Sequence, residues 1–257
     1  LWGAAADLVE PSSIKGRLMR YLGDRMYYID AMHLTTESYT RFADLSRKYR
    51  PTYISAYPTI AFDLATRMLA GQIKPFRVPV VSLTAEPVYN FQRRAILETF
   101  AQEVFERYGS REIGMAAVEC PAHAGLHTFT QSVYFEAVDR GPQVPGRSLV
   151  VTDLVNRVMP LIRYQTGDFA DIDQTPCTCG RTAPRLRNIR GRETDVIWCP
   201  DGHGVAGYMI VSLVGSQEIH APVQIVQDRL DHVTGRIEGP FGSHAESLHK
   251  LVDTFRR

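Results

Sequence analysis

The 257-residue chain lacks several features that would place it in a specialised class of protein. No apolar run approaches the roughly 18 residues that a membrane span needs, so the sequence predicts no membrane partner. Charge is balanced, with 29 Lys and Arg against 28 Asp and Glu, and no strong field favours nucleic acid or an anionic surface. The sequence therefore indicates a folded protein whose partners are small molecules or neutral surfaces.

Cysteine and lysine are both scarce. Four cysteines in a chain of this length, without a secretory signal pattern, fit a reducing cytoplasm and argue against disulfides. Lysine chemistry has few candidates, because only four of the 29 basic residues are lysine: Lys15, Lys48, Lys74 and Lys250. The chain also begins at Leu1 rather than at methionine, and we expect that an upstream segment is missing from it.

Apolar periodicity divides the chain into three parts. In residues 1–118, helical spacing alternates with short strands, which predicts the α/β, parallel-sheet part of a large domain. Residues 119–192 carry alternating strands bounded by Gly, Pro and Asp and predict a β-barrel-like subdomain, and residues 193–257 predict a small C-terminal α+β lobe. The predicted helices are Thr36 to Tyr49, Pro58 to Gly71, Val88 to Phe100, Val205 to Val214 and a last one from Ala245; the strands include Val104 to Tyr108 and Leu161 to Tyr164.

Three short segments carry polar side chains near the ends of predicted strands. Tyr108-Gly109-Ser110-Arg111-Glu112 offers a ring for stacking and a carboxylate for a metal ion. Arg163-Tyr164-Gln165-Thr166-Gly167-Asp168 ends in a carboxylate that can bind a vicinal diol, and Gly191-Arg192-Glu193-Thr194-Asp195 falls where a hinge to the last lobe would lie. Alone, the first segment is better explained by an ordinary turn, and the second has the composition of a hairpin turn.

The order and spacing of these segments resemble the core motifs of the adenylate-forming superfamily, and within it the phenylacetate-CoA ligase branch, which includes capsule-biosynthesis relatives. Two further segments are similar to that branch. Thr84-Ala85-Glu86-Pro87 resembles its Gly-Ala-Glu-Pro adenine loop, and Cys177-Thr178-Cys179-Gly180-Arg181 resembles its Cys-x-Cys-Gly-Arg signature. The resemblance covers residues from about 50 to 197 and is weaker on either side.

This resemblance implies an enzyme that uses ATP and Mg²⁺ to activate a small-molecule carboxylic acid as an acyl-adenylate, and then transfers the acyl group to a thiol such as coenzyme A. By the same match, Glu112 is the catalytic residue and holds Mg²⁺, and Asp195 is the pivot of the small lobe. The implied nucleotide-binding residues are Thr84, Ala85, Glu86 and Pro87 around adenine and the acid, Tyr108 stacked on adenine with Gly109, Ser110 and Arg111 beside it, and Asp168 and Arg192 at the ribose.

Departures from the family pattern keep other functions open. The Ser/Thr/Gly-rich phosphate loop that ends in lysine occurs nowhere in the sequence, Lys250 does not lie in a glycine-lysine loop, and Arg111 is larger than the residue usual at its position. One alternative is an amide-forming ligase that uses the same adenylate, and another is a non-catalytic relative that acts as a binding module. The acid, the acceptor and the oligomeric state, a homodimer included, stay open.

Thiol and imidazole groups form a separate set of candidates. Cys120, His127, Cys177 and Cys179 are side chains of the kinds that zinc prefers, and structural zinc commonly joins two ligands from each of two separated segments. The branch resemblance extends to Glu119-Cys120 and to Gly125-Leu126-His127. The sequence leaves open a structural zinc site, with His123 as a reserve ligand, and ordinary buried thiols.

Overall fold

The computed structural model describes residues 2–3, 27, 29–31, 34–144, 146–192, 195–202, 204–207, 210, 211, 214 and 223–238. The chain divides into two compact units, Leu1–His123 and Ala124–Arg257. Among the described residues, no helix is both long and apolar enough to cross a membrane. The helix predicted from Ala245 lies outside the described residues. The one predicted for Val205 to Val214 starts too early, because Val205 and Ala206 belong to a strand; Gly207, Ile210, Val211 and Val214 are helical.

Three helices of the first unit begin and end where local chemistry requires. Helix α1 (Thr36–Tyr49) starts with a capping box between Thr35 and Ser38 and ends at Arg50, whose φ is 47°. Helix α2 (Pro58–Leu69) has proline at its first position, where a missing N–H costs no hydrogen bond. Helix α3 (Asn90–Thr99) is shorter than predicted, since it begins two residues after Val88.

The first unit is built around a sheet with the order β6-β5-β4-β3. Its strands are β3 (Tyr53–Ala56), β4 (Val78–Leu83), β5 (Ala101–Ser110) and β6 (Gly114–Glu119). Strands β3, β4 and β5 are parallel, as predicted, and β6 is antiparallel to β5. A short parallel pair, β1 (Trp2–Gly3) and β2 (Ile29–Asp30), precedes them. The result is the mixed α/β fold with a parallel-containing sheet that the sequence predicts.

One face of this sheet packs against the three helices and forms the core. Side chains from β3, β4 and β5 meet apolar helix positions there, including Leu64, Val81, Leu83, Ile96, Phe100 and Val104, each at most 1% exposed. Strand β5 is longer than the predicted Val104 to Tyr108. Its first residues, Gln102 and Glu103, have exposed polar side chains while the segment pairs with β4, which explains why hydropathy alone misses them.

The second unit consists of short antiparallel strands. Strands β8 (Val133–Val138), β9 (Ser148–Asp153) and β10 (Tyr164–Phe169) form one sheet in the order β10-β9-β8, and β11 (Asp171–Asp173), β12 (Arg185–Arg187) and β7 (Leu126–Thr128) pair in that order. Two hairpins follow, β13 (Val196–Trp198) with β14 (Gly204–Ala206) and β15 (Val223–Arg229) with β16 (His232–Ile237). The described strands form no closed barrel, so the predicted barrel-like subdomain is not confirmed.

A strand predicted for Leu161 to Tyr164 begins later than expected. Strand β10 starts only at Tyr164, because Arg163 has a φ of 51° and breaks the extended backbone immediately before it. The carbonyl of Leu161 still accepts a hydrogen bond from the Asp153 N–H at 2.8 Å. Apolar Leu161 and Ile162 therefore lie in an irregular segment, and Ile162 is 74% exposed.

Candidate active site

The loop at the carboxyl end of β5 contains the aromatic and acidic residues of the first motif. Tyr108, Gly109 and Ser110 end the strand, and Ser110, Arg111 and Glu112 are exposed in the turn that leads to β6. Gly109 lies at a register shift opposite Met115, and a Cβ there would collide with the carbonyl oxygen of Gly114. A close backbone approach therefore requires glycine and fixes the turn that carries Glu112.

The loop at the carboxyl end of β4 contains the second predicted set. The Thr84 N–H donates to the Ala56 carbonyl at 3.2 Å, and Ala85 has the left-handed φ of 71°, which is unusual for a residue with a side chain. The Glu86 carboxylate accepts hydrogen bonds from both the N–H and the Oγ1 of Thr59 at 3.0 Å. The Glu86 side chain thus binds the start of α2.

These two loops lie at the same edge of one sheet, because β4 and β5 are parallel and both loops follow carboxyl ends. Ligands of open α/β sheets bind outside that edge. Thr59, which no sequence motif indicates, joins this region through Glu86. Its position just after the helix-initiating Pro58 is the one signal that could have suggested it.

Asp168 and Arg192, predicted from two different motifs, lie together in the second unit. They form an isolated antiparallel bridge, and the Arg192 Nε is 3.5 Å from the Asp168 Oδ1. The Arg192 Nη1 also donates to the Thr166 carbonyl at 2.9 Å, and Gly167, with a φ of 78°, turns the chain between them. A hydrogen-bond acceptor and a cation are therefore side by side, as binding of a sugar diol beside a phosphate requires.

Asp195, the predicted pivot, lies at a tight junction between two segments of the second unit. Its N–H donates to the Arg192 carbonyl at 3.1 Å, and its own carbonyl accepts from the Gly207 N–H at 2.5 Å. A Cβ at position 207 would lie 2.9 Å from the Asp195 oxygen, so only glycine fits this contact. Backbone bonds thus connect Asp195 to both Arg192 and the strand pair that follows.

Three of the predicted zinc ligands cluster within the second unit. His127 Nε2 lies 3.4 Å from the Sγ of Cys179, and the ligand atoms of His127, Cys177 and Cys179 are within 4.8 Å of one another. The Gly180 N–H donates to the Cys177 carbonyl at 2.9 Å, forming a turn that presents both thiols. Cys120, the fourth predicted ligand, is buried near the end of the first unit.

A buried group of charges supports β5 on its helix side. The Arg93 guanidinium binds Glu106 at 2.5 Å and Glu119 at 2.9 Å, and Glu119 also accepts the Glu106 N–H at 2.8 Å. Burial raises the pKa of Glu106, although the Arg93 charge opposes this shift. No sequence motif indicates this group, because its members are scattered along the chain.

Comparison with known proteins supports the resemblance. No protein-family model matches the chain. Over 163 residues it is 32% identical to a phenylacetate-coenzyme A ligase of Thermus thermophilus, a match that covers 60% of this chain and 37% of that protein. Over 173 residues it is 24% identical to Protein CapK of Staphylococcus aureus, covering 66% of this chain and 37% of that protein. The chain is therefore similar in sequence to a phenylacetate-coenzyme A ligase and to Protein CapK.

A solved structure shows the same fold at lower identity. A 2-hydroxyisobutyryl-CoA ligase, determined in the postadenylation state with R3-HIB-AMP, matches with a TM-score of 0.68 and 21% identity, over 94% of this chain and 54% of that chain. The chain spans about a third of the length of the two phenylacetate-CoA ligase-branch relatives, 37% of each.

Proposed function

We propose that the protein containing this chain activates a carboxylic acid as an acyl-adenylate. In this reaction a carboxylate oxygen of the acid attacks the α-phosphorus of ATP, the P–O bond to the leaving group breaks, and pyrophosphate departs. A thiol such as coenzyme A then attacks the acyl carbon and AMP leaves. The observation that carries the proposal is the Asp168–Arg192 pair, which two separate motifs predict and which lies at 3.5 Å.

The residues of the chain divide this work between binding and charge stabilisation. Asp168 accepts hydrogen bonds from the ribose hydroxyls, and Arg192 approaches the same sugar. The loops after β4 and β5 hold adenine between their backbone and the Tyr108 ring. Glu112 is an exposed carboxylate at the tip of the β5–β6 turn, and its hard oxygen ligands fit Mg²⁺, which would neutralise phosphate charge there.

Substitutions at the Asp168–Arg192 pair test the proposal. In the full-length protein, Asp168→Asn and Arg192→Gln are each expected to raise the KM for ATP at least tenfold in acid-dependent pyrophosphate exchange, because each removes one charge-assisted contact. Arg157→Gln is the matched control, since Arg157 is an exposed arginine of the same unit. Unchanged KM values in both variants would refute the assignment. Supplying coenzyme A or an amine as acceptor distinguishes thioester from amide formation.

We also propose that Cys120, His127, Cys177 and Cys179 hold a structural zinc ion. Zn–S bonds of about 2.3 Å and Zn–N bonds of about 2.0–2.1 Å in a tetrahedron place N and S about 3.5–3.6 Å apart, close to the observed 3.4 Å. His127 is 4% exposed, and its Nε2 is the ring nitrogen that faces the Cys179 thiol. The Arg181 Nη1, 3.8 Å from the Cys179 Sγ, offsets thiolate charge.

Cys120 completes the set because it precedes His127 by only seven residues. Elemental analysis of the purified protein is expected to give one zinc per chain, and Cys179→Ser is expected to lower both the zinc content and the melting temperature. Cys199→Ser provides the control, since Cys199 lies outside the group. Zinc-free protein with an unchanged melting temperature after Cys179→Ser would show that these are ordinary thiols.

A further inference from the structure

Arg107 lies on the sheet face opposite the helices of the first unit. Along β5, Val104 belongs to the helix-side core and Glu106 binds Arg93 of α3, so Phe105 and Arg107 point to the other side. Ser55 and Ser82 share that face, because their neighbours in β3 and β4 are core residues and the two serines are register partners. Three adjacent parallel strands thus bring one arginine and two serines to the same face.

This cluster has polar atoms without partners. The Arg107 Nη2 donates to the Ser55 Oγ at 2.6 Å, and the Nη1 reaches only the Met115 sulfur at 4.0 Å. The Arg107 Nε and the Ser82 Oγ are buried and form no hydrogen bond with any residue that the structure describes. Within the described part of the chain, no carboxylate pairs with Arg107. Because buried cations and hydroxyls are normally satisfied, this arrangement has unused capacity to bind an anion.

The cluster also lies beside the proposed active site. Arg107 directly precedes Tyr108, and Ser82 precedes the Thr84 loop by two residues. Both strands run toward the carboxyl edge where those loops lie. A ligand bound at that edge therefore lies near the Arg107 guanidinium and the two serine hydroxyls as well as the loops after β4 and β5.

We propose that Arg107, Ser55 and Ser82 bind a second, non-reacting carboxylate of the acid substrate, which makes the substrate a dicarboxylic acid. This inference rests on the proposed function. The reacting carboxylate is a poorer candidate, because a guanidinium paired with it would stabilise the nucleophile before reaction more than in the transition state. A planar guanidinium matches a carboxylate with two parallel hydrogen bonds, and an adjacent hydroxyl can donate a third.

Acid preference in pyrophosphate exchange by the full-length protein tests the inference. Succinate and glutarate are compared with butyrate and valerate, which have the same chain lengths but one carboxylate. The dicarboxylates are expected to give at least tenfold higher kcat/KM. Arg107→Gln is expected to remove that preference by raising the KM for the dicarboxylate while leaving the KM for ATP unchanged. Arg107→Lys should recover part of the preference, since it restores charge without the planar fork.

Ser82→Ala distinguishes a role of Ser82 in substrate binding from a role in stability. Because the Ser82 hydroxyl has no partner, its removal should leave the melting temperature the same or higher, yet it should raise the dicarboxylate KM. Arg41→Gln, at an exposed arginine of α1, is the matched control and should change neither value.

Three results would overturn the inference: a preference for monocarboxylates, an Arg107→Gln variant with unchanged acid preference, or a rise in the ATP KM instead, which would assign the cluster to a phosphate. Absence of exchange with every acid would refute the proposed function itself. Calorimetric titration of succinate and glutarate into wild type and Arg107→Gln then decides separately. Binding that Arg107→Gln abolishes supports the anion site, and no binding by wild type refutes it.

Discussion

Replacing Glu86 should loosen the start of helix α2 from a distance of 27 residues along the chain. The first turn of α2 contains no acidic residue, and its N-cap, Tyr57, makes no side-chain cap hydrogen bond. The Glu86 carboxylate instead satisfies the Thr59 N–H and hydroxyl, both at 3.0 Å. It therefore acts as a remote cap that joins the helix to the loop after β4.

The expected free-energy change follows from these two bonds. Loss of an N-terminal cap costs about 0.5–2 kcal/mol, and a second hydrogen bond to a charged group adds about 1 kcal/mol after allowance for partial exposure. Glu86→Ala should therefore lower the free energy of unfolding by about 2 kcal/mol. Glu86→Gln keeps an acceptor for the Thr59 N–H and loses chiefly the charge at the helix terminus, which is worth about 0.3–1 kcal/mol.

Urea unfolding of these variants, together with Thr59→Val and the double variant, measures the coupling between the two side chains. Thr59→Val removes only the hydroxyl bond and should cost about 1 kcal/mol, with less than additive loss in combination with Glu86→Ala. A Glu86→Ala variant within about 0.5 kcal/mol of wild type, or strictly additive losses, would refute this explanation.

Two further predictions concern backbone geometry and pH. Gly109→Ala should lower the free energy of unfolding by more than about 3 kcal/mol, because the added Cβ collides with the Gly114 carbonyl oxygen. Gly114→Ala should lower it by about 1–2 kcal/mol, because its Cβ meets no atom within 4 Å but the φ of 64° strains a residue with a side chain. Equal urea midpoints for the two variants would contradict this. Hydrogen bonds from Thr175, then Arg187, lower the pKa of Asp173 to about 2 from 3.8, so its contribution to stability is present above pH 4 and is lost as pH falls toward 2. Asp173→Asn should reduce the change in the urea unfolding midpoint between pH 4 and pH 2. A variant whose midpoint changes with pH as much as that of wild type would contradict the role of Asp173.

Local signals in the sequence were sufficient for the helices and the parallel sheet. Helical spacing predicts α1 at the observed Thr36–Tyr49, and Pro58 begins α2 as predicted. Strand β5 was underestimated because pairing with β4 compensates for the polar side chains at its start. The barrel-like subdomain is not confirmed, because alternating apolar residues identify strands without specifying how the strands close.

The site residues that lie in local motifs were predicted, and those that depend on contacts between distant segments were not. Motif spacing selected Asp168 and Arg192, which the structure brings together, but their roles stay predictions until they are tested by substitution. Contacts between distant segments, such as Glu86 with Thr59, depend on tertiary packing that no local pattern records. Arg107 is not indicated by the sequence, because its position opposite two serines, with no carboxylate partner among the described residues, depends on strand pairing.

Acid-dependent exchange of labelled pyrophosphate into ATP tests the central claim most directly. The full-length protein, assayed with mono- and dicarboxylic acids, is expected to catalyse exchange with at least one acid, and Asp168→Ala should raise the KM for ATP at least tenfold while the protein stays folded. An unchanged KM for ATP in Asp168→Ala would contradict the assigned ribose site. Folded wild-type protein that gives no exchange with any acid would contradict adenylation as the function.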